Sequence, residues 1–221
     1  MRVEEEKAVI WDMDGVIADT GPYHLKAWQE TFSKRGIEFT ENDFRHSFGM
    51  RNDAIIPVIL GKEIMREEID RISYEKEAVF RRLIGGDIKP LPGVIALMKS
   101  LAEAGFKMAL ASSTPRENIR LVTGSLGIEK YLESIAGAED VQRGKPDPQV
   151  FLLAAEGLGV KLENCIVIED AVAGVTAARR AGMRCLAVTT THPRGSLREA
   201  DLIVDSLEEV SVDDIERLLD D

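Results

Sequence analysis

Short apolar runs alternate with longer segments of helical periodicity over most of the 221-residue chain. Apolar runs bounded by polar residues are typical of strands that are buried on both faces of a parallel sheet. The pattern predicts strands over residues 7–12, 106–111, 164–168 and 184–188, with further candidates over 134–137 and 201–204. Helical spacing of apolar residues predicts helices over 92–104, 114–126, 147–157 and 171–181. Strands that alternate with helices predict an α/β fold, a doubly wound parallel sheet with a Rossmann-like core.

Residues 20–86 interrupt this alternation, because they contain helical patterns and no predicted strand. The helical segments are predicted over 23–35, 41–47, 52–60 and 63–84. A helical block inserted straight after the first strand sits above the carboxyl end of that strand, which is where open α/β sheets bind ligands. The sequence therefore predicts an inserted α-helical cap over 20–86, with core segments over 1–19 and 87–221. Gly85-Gly86 and Pro90-Leu91-Pro92 are predicted to form the return linker.

Two of the core helices have sequence signals at their starts. Thr114-Pro115-Arg116-Glu117 matches a capping box, with Thr114 as the cap and Pro115 at the first helical position. Asp147-Pro148 predicts the start of the helix that runs toward Gly157.

The charge balance narrows the possible partners. The chain has 28 Lys and Arg against 39 Asp and Glu, a formal net charge of −11. This balance argues against a nucleic-acid or anionic membrane partner, but it permits an anionic small substrate in a locally positive pocket. The two cysteines do not form a C-x-x-C pair, and no signal peptide or membrane span is predicted. We therefore expect a soluble cytoplasmic protein with reduced thiols.

Two pairs of carboxylates follow predicted strands. Asp12 and Asp14 follow the first strand, and Glu169 and Asp170 follow the strand over 164–168. A solvated strand end would explain either pair alone, but the carboxyl ends of parallel strands meet at one edge of the sheet. Carboxylates that converge there need a shared proton or a cation, and Mg²⁺ is the oxygen-ligated metal that we expect.

Other polar residues at the same edge suit an anion. Ser112 and Ser113 end the strand over 106–111, and the next helix opens its N-terminus toward this edge. Lys145 precedes a proline and so lies outside any helix. We interpret His46 and His192 as surface or loop residues. The sequence contains no P-loop, dinucleotide-binding, zinc-protease or nucleophile-elbow motif.

The ordered set Asp12-Met13-Asp14-Gly15-Val16, Ser112, Lys145 and Glu169-Asp170 closely resembles the haloacid dehalogenase superfamily of aspartate-nucleophile phosphotransferases. The helical block after the first strand is similar to the small helical cap of that superfamily. The stretch 19–28 resembles the branch that contains β-phosphoglucomutase and the sugar-phosphate phosphatases.

The resemblance implies a role for each motif residue. Asp12 would be the nucleophile that forms an aspartyl-phosphate, and Asp14 the general acid and then the general base. Mg²⁺ would be held by Asp12, the backbone carbonyl of Asp14, Glu169 and Asp170. An acid at position 14 points to phosphate ester chemistry, because the haloalkanoate dehalogenases and phosphonoacetaldehyde hydrolases of the superfamily lack it.

The phosphate and the rest of the substrate would have separate partners. Ser112 and Lys145 would hold the phosphoryl oxygens. Thr20, His24, Arg51 and Ser113 are the candidate substrate-binding residues. The implied partner is a small phosphorylated metabolite, and we expect a monomer.

The resemblance leaves two enzyme classes and one further class open. Thr20 and His24 match hinge and sugar-site positions of β-phosphoglucomutase, although several phosphatases carry the same pair. Arg51 matches that mutase's cap arginine. Against a mutase, Thr114-Pro115 replaces a Ser-Lys pair, and the cap lysine aligns near Tyr74, with Lys76 two residues on. We therefore expect a phosphatase, with a mutase as the alternative and a non-catalytic phosphate-binding protein as the third class.

Overall fold

The computed structural model describes residues 5–85 and 88–220 and contains a six-stranded parallel sheet. The strands are β1 (Ala8–Trp11), β2 (Lys107–Ala111), β3 (Ser134–Ala136), β4 (Cys165–Glu169), β5 (Arg184–Val188) and β6 (Leu202–Val204). Their order across the sheet is β3-β2-β1-β4-β5-β6, and every neighbouring pair is parallel. The predicted α/β fold with a doubly wound parallel sheet is confirmed.

Four helices follow β1 along the chain, before the helix that leads into β2. They are α1 (Gly21–Ser33), α2 (Glu41–Ser47), α3 (Asn52–Leu60) and α4 (Arg66–Ile84), and we call them the cap helices. They bury their own apolar cluster, which includes Trp28, Phe32, Ile56 and Ile72. The remaining helices are α5 (Val94–Glu103), α6 (Arg116–Leu126), α7 (Gln149–Leu158), α8 (Val172–Arg180) and α9 (Val212–Asp220).

The sheet is covered on both faces, since alternate residues of β1 enter different clusters. Val9 and Trp11 pack with residues of α5, α6 and α9. Ala8 and Ile10 pack with residues of α7 and α8. This alternation follows from the period of two along a strand and explains why β1 is apolar throughout.

Most helix starts differ by one to three residues from the sequence prediction, and two of the differences bear on the site. Helix α6 begins at Arg116 with Pro115 in the cap position, so the capping box at Thr114 is wrong. The Glu139 carboxylate instead accepts from the Arg116 backbone N–H at 3.0 Å. Helix α4 begins at Arg66 rather than residue 63. Gly85 ends α4 in the left-handed conformation that glycine adopts without steric cost, whereas Gly86 lies outside the described residues.

Within the described residues, no helix is both long and apolar enough to cross a membrane. The cap boundaries at 20 and 86 stay a prediction.

Candidate active site

Three carboxylates meet where β1 and β4 end side by side. Asp12 follows β1 and donates its backbone N–H to the Ile168 carbonyl of β4 at 3.0 Å. Glu169 is the last residue of β4, and Asp170 comes next. Each of these acids places a carboxylate oxygen within 4.8 Å of the others, and all three side chains are buried. The structure thus brings together the two acidic motifs, as the parallel sheet predicts.

Lys145 lies among these acids. Its Nζ donates to Asp12 Oδ1 at 2.5 Å and to Glu169 Oε1 at 2.7 Å. Burial would lower the pKa of Lys145, but the charges of Asp12 and Glu169 outweigh it and hold the pKa above its usual value. Lys145 is therefore a fixed positive charge beside the Asp12 carboxylate.

The three acids carry more negative charge than Lys145 compensates. Burial, aided by the charge of Glu169, raises the pKa of Asp12 to about 8, although Lys145 opposes this. Burial and the charges of Glu169 and Asp12 also raise the pKa of Asp170. Thr191 donates to Asp170 Oδ2, whereas the buried Oδ1 has no partner among the described residues. Clustered carboxylate oxygens with one unpaired oxygen fit a hard divalent cation such as Mg²⁺.

The backbone after β4 fixes Glu169. Its Oε2 accepts hydrogen bonds from the backbone N–H groups of Asp170 and Ala171, both at 2.7 Å. Gly174 of α8 packs directly on the carboxylate, since a Cβ at this position would lie 1.7 Å from Glu169 Oε1. Only glycine leaves room for the Glu169 side chain against α8.

Asp14 points away from this cluster, toward the cap helices. Its Oδ1 accepts from Thr20 Oγ1 at 2.6 Å and lies 3.1 Å from His24 Nε2. Its Oδ2 accepts from Thr114 Oγ1 at 2.9 Å and from Ser112 Oγ at 3.4 Å. Burial would raise the pKa of Asp14, but His24, Thr20 and Thr114 together hold it below its usual value. This environment stabilises the ionised form, the form of a general base.

His24 is oriented by the cap. Lys76 Nζ lies 2.7 Å from His24 Nδ1, and Phe80 stacks on the ring at a centroid distance of 4.0 Å. Because a lysine ammonium can only donate, Nδ1 accepts and the hydrogen resides on Nε2, which donates to Asp14. Thr20 and His24 thus contact the candidate acid and base directly.

Lys76, not Tyr74, is the α4 residue that faces the core. Lys76 is 3% exposed, whereas Tyr74 is 72% exposed. Ile72, Lys76 and Phe80 are four residues apart and share the buried face of α4, and position 74 projects to the other side. The helical period was the signal that could have identified Lys76.

A cavity lies between the two parts of the site. It has a volume of about 40 Å³, enough for a few water molecules but not for a sugar phosphate. A substrate of that size therefore needs the cap helices to move apart from the sheet. Its lining combines the polar groups of the site with apolar and aromatic side chains from the cap: Asp12, Asp14, His24, Trp28, Phe44, Phe48, Met50, Asn52, Ile55, Lys76, Ser113 and Thr114.

The sequence model of the haloacid dehalogenase-like hydrolases matches residues 6–182, which include all of these motifs. The chain belongs to this family. The match agrees with the resemblance drawn from the motif residues.

Relatives of this hydrolase include named phosphatases. Over 172 residues it is 36% identical to the chloroplastic 5-amino-6-(5-phospho-D-ribitylamino)uracil phosphatase of Arabidopsis thaliana, a match that covers 78% of this chain and 46% of that protein. The chain thus spans less than half of that relative. It is 33% identical over 181 residues to the phosphorylated carbohydrates phosphatase of Thermotoga maritima, covering 80% of this chain and 82% of the relative.

A solved structure shares the whole architecture. The crystal structure of β-phosphoglucomutase from Clostridium difficile superposes with a TM-score of 0.89 at 32% sequence identity, covering 97% of each chain. The hydrolase therefore shares its fold with a mutase as well as its family with phosphatases.

Two predicted substrate-binding residues bridge the cap helices and the sheet domain of this hydrolase. Arg51 pairs with Asp53 at 2.8 Å and donates from Nη1 to the Val141 carbonyl at 2.5 Å. Ser113 donates to the Gly49 carbonyl at 2.7 Å. Ser113 also lines the cavity, but the Arg51 guanidinium is held outside it. Substrate contact by Arg51 stays a prediction.

The loop after β5 supplies two contacts that sequence reasoning missed. Besides Thr191, His192 lies with its ring nitrogens 3.2 Å from the carbonyl oxygens of Asp170 and Arg45. His192 lies in a loop, as interpreted, but it is half-buried between Asp170 and α2. His46 is exposed, as interpreted, and contacts the Asn42 carbonyl.

Thr114 is a residue of the site that the sequence analysis did not predict. The sequence interpretation used its hydroxyl to cap α6, but this hydroxyl donates to Asp14. Its backbone N–H in turn donates to Ser112 Oγ at 3.1 Å. The loop after β2 therefore supplies two hydroxyls to the Asp14 side chain.

Proposed function

We propose that this protein is a Mg²⁺-dependent phosphomonoester hydrolase that acts on a small sugar phosphate or a similar metabolite. The observation that carries the proposal is the buried Asp12 carboxylate, flanked by Lys145 and by Glu169 and Asp170, at the base of a cavity that Asp14 also lines. Family membership and the phosphatase relatives support the same reaction class.

Asp12, Glu169 and Asp170 would hold Mg²⁺, together with the Asp14 backbone carbonyl that the family resemblance implies. The bound ion would reduce the repulsion between an anionic nucleophile and an anionic phosphate. This assignment uses the unpaired oxygen of Asp170 and the raised carboxyl pKa values of the cluster.

In the first half-reaction, a carboxylate oxygen of Asp12 attacks phosphorus while the ester P–O bond breaks. Lys145 stabilises negative charge beside Asp12, and the Ser112 hydroxyl adds a donor for the phosphoryl oxygens. The leaving oxygen takes a proton from Asp14. Asp14 carries this proton from the preceding turnover, in which it took a proton from water, and His24 Nε2 donates a hydrogen bond to the Asp14 carboxylate at 3.1 Å.

In the second half-reaction, Asp14 acts as a base. Its ionised form, stabilised by Thr20, His24 and Thr114, accepts a proton from water. The oxygen of that water bonds to phosphorus, the bond from phosphorus to Asp12 breaks, and inorganic phosphate leaves. The Asp12 carboxylate is regenerated.

A mutase is the second candidate, since Lys76 lines the cavity and the solved mutase shares the fold. A mutase needs a cation for the second phosphate of its bisphosphorylated intermediate. Here Lys76 is paired with Glu77 at 2.8 Å, and Arg51 with Asp53. Because both candidate cations already have carboxylate partners, the charge balance favours water over a second sugar phosphate as the acceptor.

The test compares the two acceptors in one sample. Phosphate release is measured over a panel of hexose, pentose and smaller sugar phosphates, with Mg²⁺ and with EDTA. Beside it, β-glucose 1-phosphate with a trace of glucose 1,6-bisphosphate is followed by a coupled glucose 6-phosphate assay. We expect Mg²⁺-dependent phosphate release without a primer.

Two outcomes would replace the proposal. Isomerised product that exceeds released phosphate tenfold would make the protein a mutase. Absence of turnover on the whole panel and on a generic aryl phosphate would indicate a phosphate-binding protein. The monomeric state and the cytoplasmic location stay predictions that these assays do not address.

A further inference from the structure

A buried carboxylate next to the site has no role in the proposed reaction. Glu77 of α4 is 4% exposed. Its Oε1 accepts from Lys76 Nζ at 2.8 Å and from Asn52 Nδ2 at 2.7 Å, and its Oε2 accepts from Asn118 Nδ2 at 2.6 Å. Burial would raise the pKa of Glu77, but Lys76, His24 and Asn52 hold it below its usual value. Glu77 is therefore an ionised and fully hydrogen-bonded buried group.

Asn118 connects the cap helices to the sheet domain. It is 0% exposed in the first turn of α6, where asparagine contributes little helix propensity. Arg81 donates to Asn118 Oδ1 at 2.9 Å. Because a guanidinium can only donate, the opposite atom of the amide is the donor, and it faces Glu77. Both ends of the Asn118 amide are thus held by α4.

The two oxygens of Glu77 therefore face different parts of the protein. One holds Lys76, which fixes the His24 tautomer that donates to Asp14. The other holds Asn118, in the helix that begins after the loop carrying Thr114. Truncation of either partner leaves a buried donor or a buried charge unsatisfied, which costs more than the net value of the hydrogen bond.

We propose that Glu77 is a positioning residue which, through Asn118, couples docking of the cap helices to the alignment of Lys76 and His24 on Asp14. The proposal rests on the proposed phosphatase function for its kinetic consequence. When the cap helices are docked, Glu77, Lys76 and Asn118 all have hydrogen-bond partners. Loss of the contact between residues 77 and 118 therefore misaligns Lys76 and His24 around Asp14.

The chain permits a test by exchange of the two partners. Glu77→Gln places two amide donors face to face. Asn118→Asp places two carboxylate acceptors face to face. The double variant Glu77→Gln with Asn118→Asp restores donor to acceptor, leaves an oxygen for Lys76 and Asn52, and keeps the total charge. Glu117→Gln is the matched control, because Glu117 is the neighbouring carboxylate on α6, pairs with Arg81 and has a 69% exposed side chain.

We expect each single variant to lower kcat/KM on the best sugar phosphate of the panel at least tenfold. Turnover of p-nitrophenyl phosphate should change less than threefold, since a small aryl phosphate depends less on the cap. The double variant should recover at least threefold of the lost kcat/KM, with a remaining deficit because Lys76 lacks its carboxylate partner, and Glu117→Gln should stay within twofold. Equal losses on both substrates, or no rescue in the double variant, would overturn the proposal.

Hydrogen exchange provides a readout that does not depend on activity. Peptides from α4 and the start of α6 should exchange faster in each single variant and regain protection in the double variant, while β1 and β4 keep theirs. If no panel substrate is turned over, the proposed function fails and the exchange pattern alone decides the docking role. Unchanged exchange in the single variants, or none of it restored in the double variant, would refute that role.

Discussion

The close packing of Gly174 on Glu169 allows a demanding test of the candidate metal site. In Gly174→Ala, the added Cβ would lie 1.7 Å from Glu169 Oε1 and 1.9 Å from its Cδ. Carbon–oxygen contacts need about 3.2 Å or more, so the carboxylate must move by about 1.5 Å. Residue 174 is helical, so alanine is compatible with the backbone and any effect arises from this contact.

The size of the effect follows from the bonds of Glu169. A displacement of about 1.5 Å takes its 2.7 Å hydrogen bonds from Asp170, Ala171 and Lys145 beyond the limit of a hydrogen bond. Hydrogen bonds to charged groups contribute about 1.5 to 3 kcal/mol each. The helix propensity of alanine returns about 1 kcal/mol. We therefore expect a loss of about 3.5 to 8 kcal/mol in the free energy of unfolding and a melting temperature lower by roughly 7 to 30 °C.

The assay combines stability, metal binding and turnover. Urea unfolding and thermal melts are run in EDTA and in Mg²⁺, and phosphate release is measured against Mg²⁺ concentration. The Mg²⁺ concentration for half-maximal activity should rise by at least about tenfold, because Glu169 is a candidate ligand. Gly124→Ala is the matched control, since its Cβ would meet nothing closer than 3.9 Å, and it should stabilise α6 by up to about 1 kcal/mol. A Gly174→Ala protein as stable and as active as this control would refute the reasoning.

Three further predictions concern the acids of the site. Asp12→Asn should lower turnover by at least about a thousandfold while circular dichroism stays unchanged, and more than about a hundredth of wild-type turnover would exclude Asp12 as the nucleophile. Mg²⁺ should raise the melting temperature more at pH 8 than at pH 6, because the pKa of Asp12 is raised to about 8 and metal binding must displace its proton. Without metal, the raised pKa of Asp12 makes the free energy of unfolding fall from about pH 4 to about pH 8. The reason is that the folded state binds more protons than the unfolded state over this range. Thr114→Val removes a 2.9 Å donor from Asp14, so the pKa of Asp14 should rise and the acid limb of the pH–rate profile should move up by about one unit, whereas an unmoved limb would show that Asp14 is not the base.

The convergence of the acidic motifs could be predicted from the sequence because it depends on local patterns. The buried runs of β1 and β4 have a strand pattern, and parallel strands place their carboxyl ends at one edge. The parallel sheet puts Asp12 and Glu169 at the same edge, and they meet there because β1 and β4 are neighbouring strands. The family resemblance of the motif residues needed no coordinates either.

Local sequence patterns could not predict hydrogen-bond partners that come from distant segments of the chain. The hydroxyl of Thr114 has a plausible local use as a helix cap, but Asp14, 100 positions away along the chain, receives it instead. Counting along the chain placed the cap lysine at Tyr74, while the packed face of α4 buries Lys76. Arg51 has a positive charge that would suit a phosphorylated substrate. Asp53 and the Val141 carbonyl nevertheless hold its guanidinium where the cap helices contact the sheet domain.

The sequence by itself thus determined the parallel strands, the run of helices after β1 and the acidic edge, because periodicity and strand polarity act over a few residues. The family followed from the resemblance of the motif residues. Only the tertiary structure decided the hydrogen-bond partners of Asp14, the inward placement of Lys76 and the buried contact between Glu77 and Asn118. The physical reason is that a buried polar group is stable only with a complementary partner in three dimensions. Spacing along the chain does not identify which of several possible donors will be the partner of a given buried acceptor.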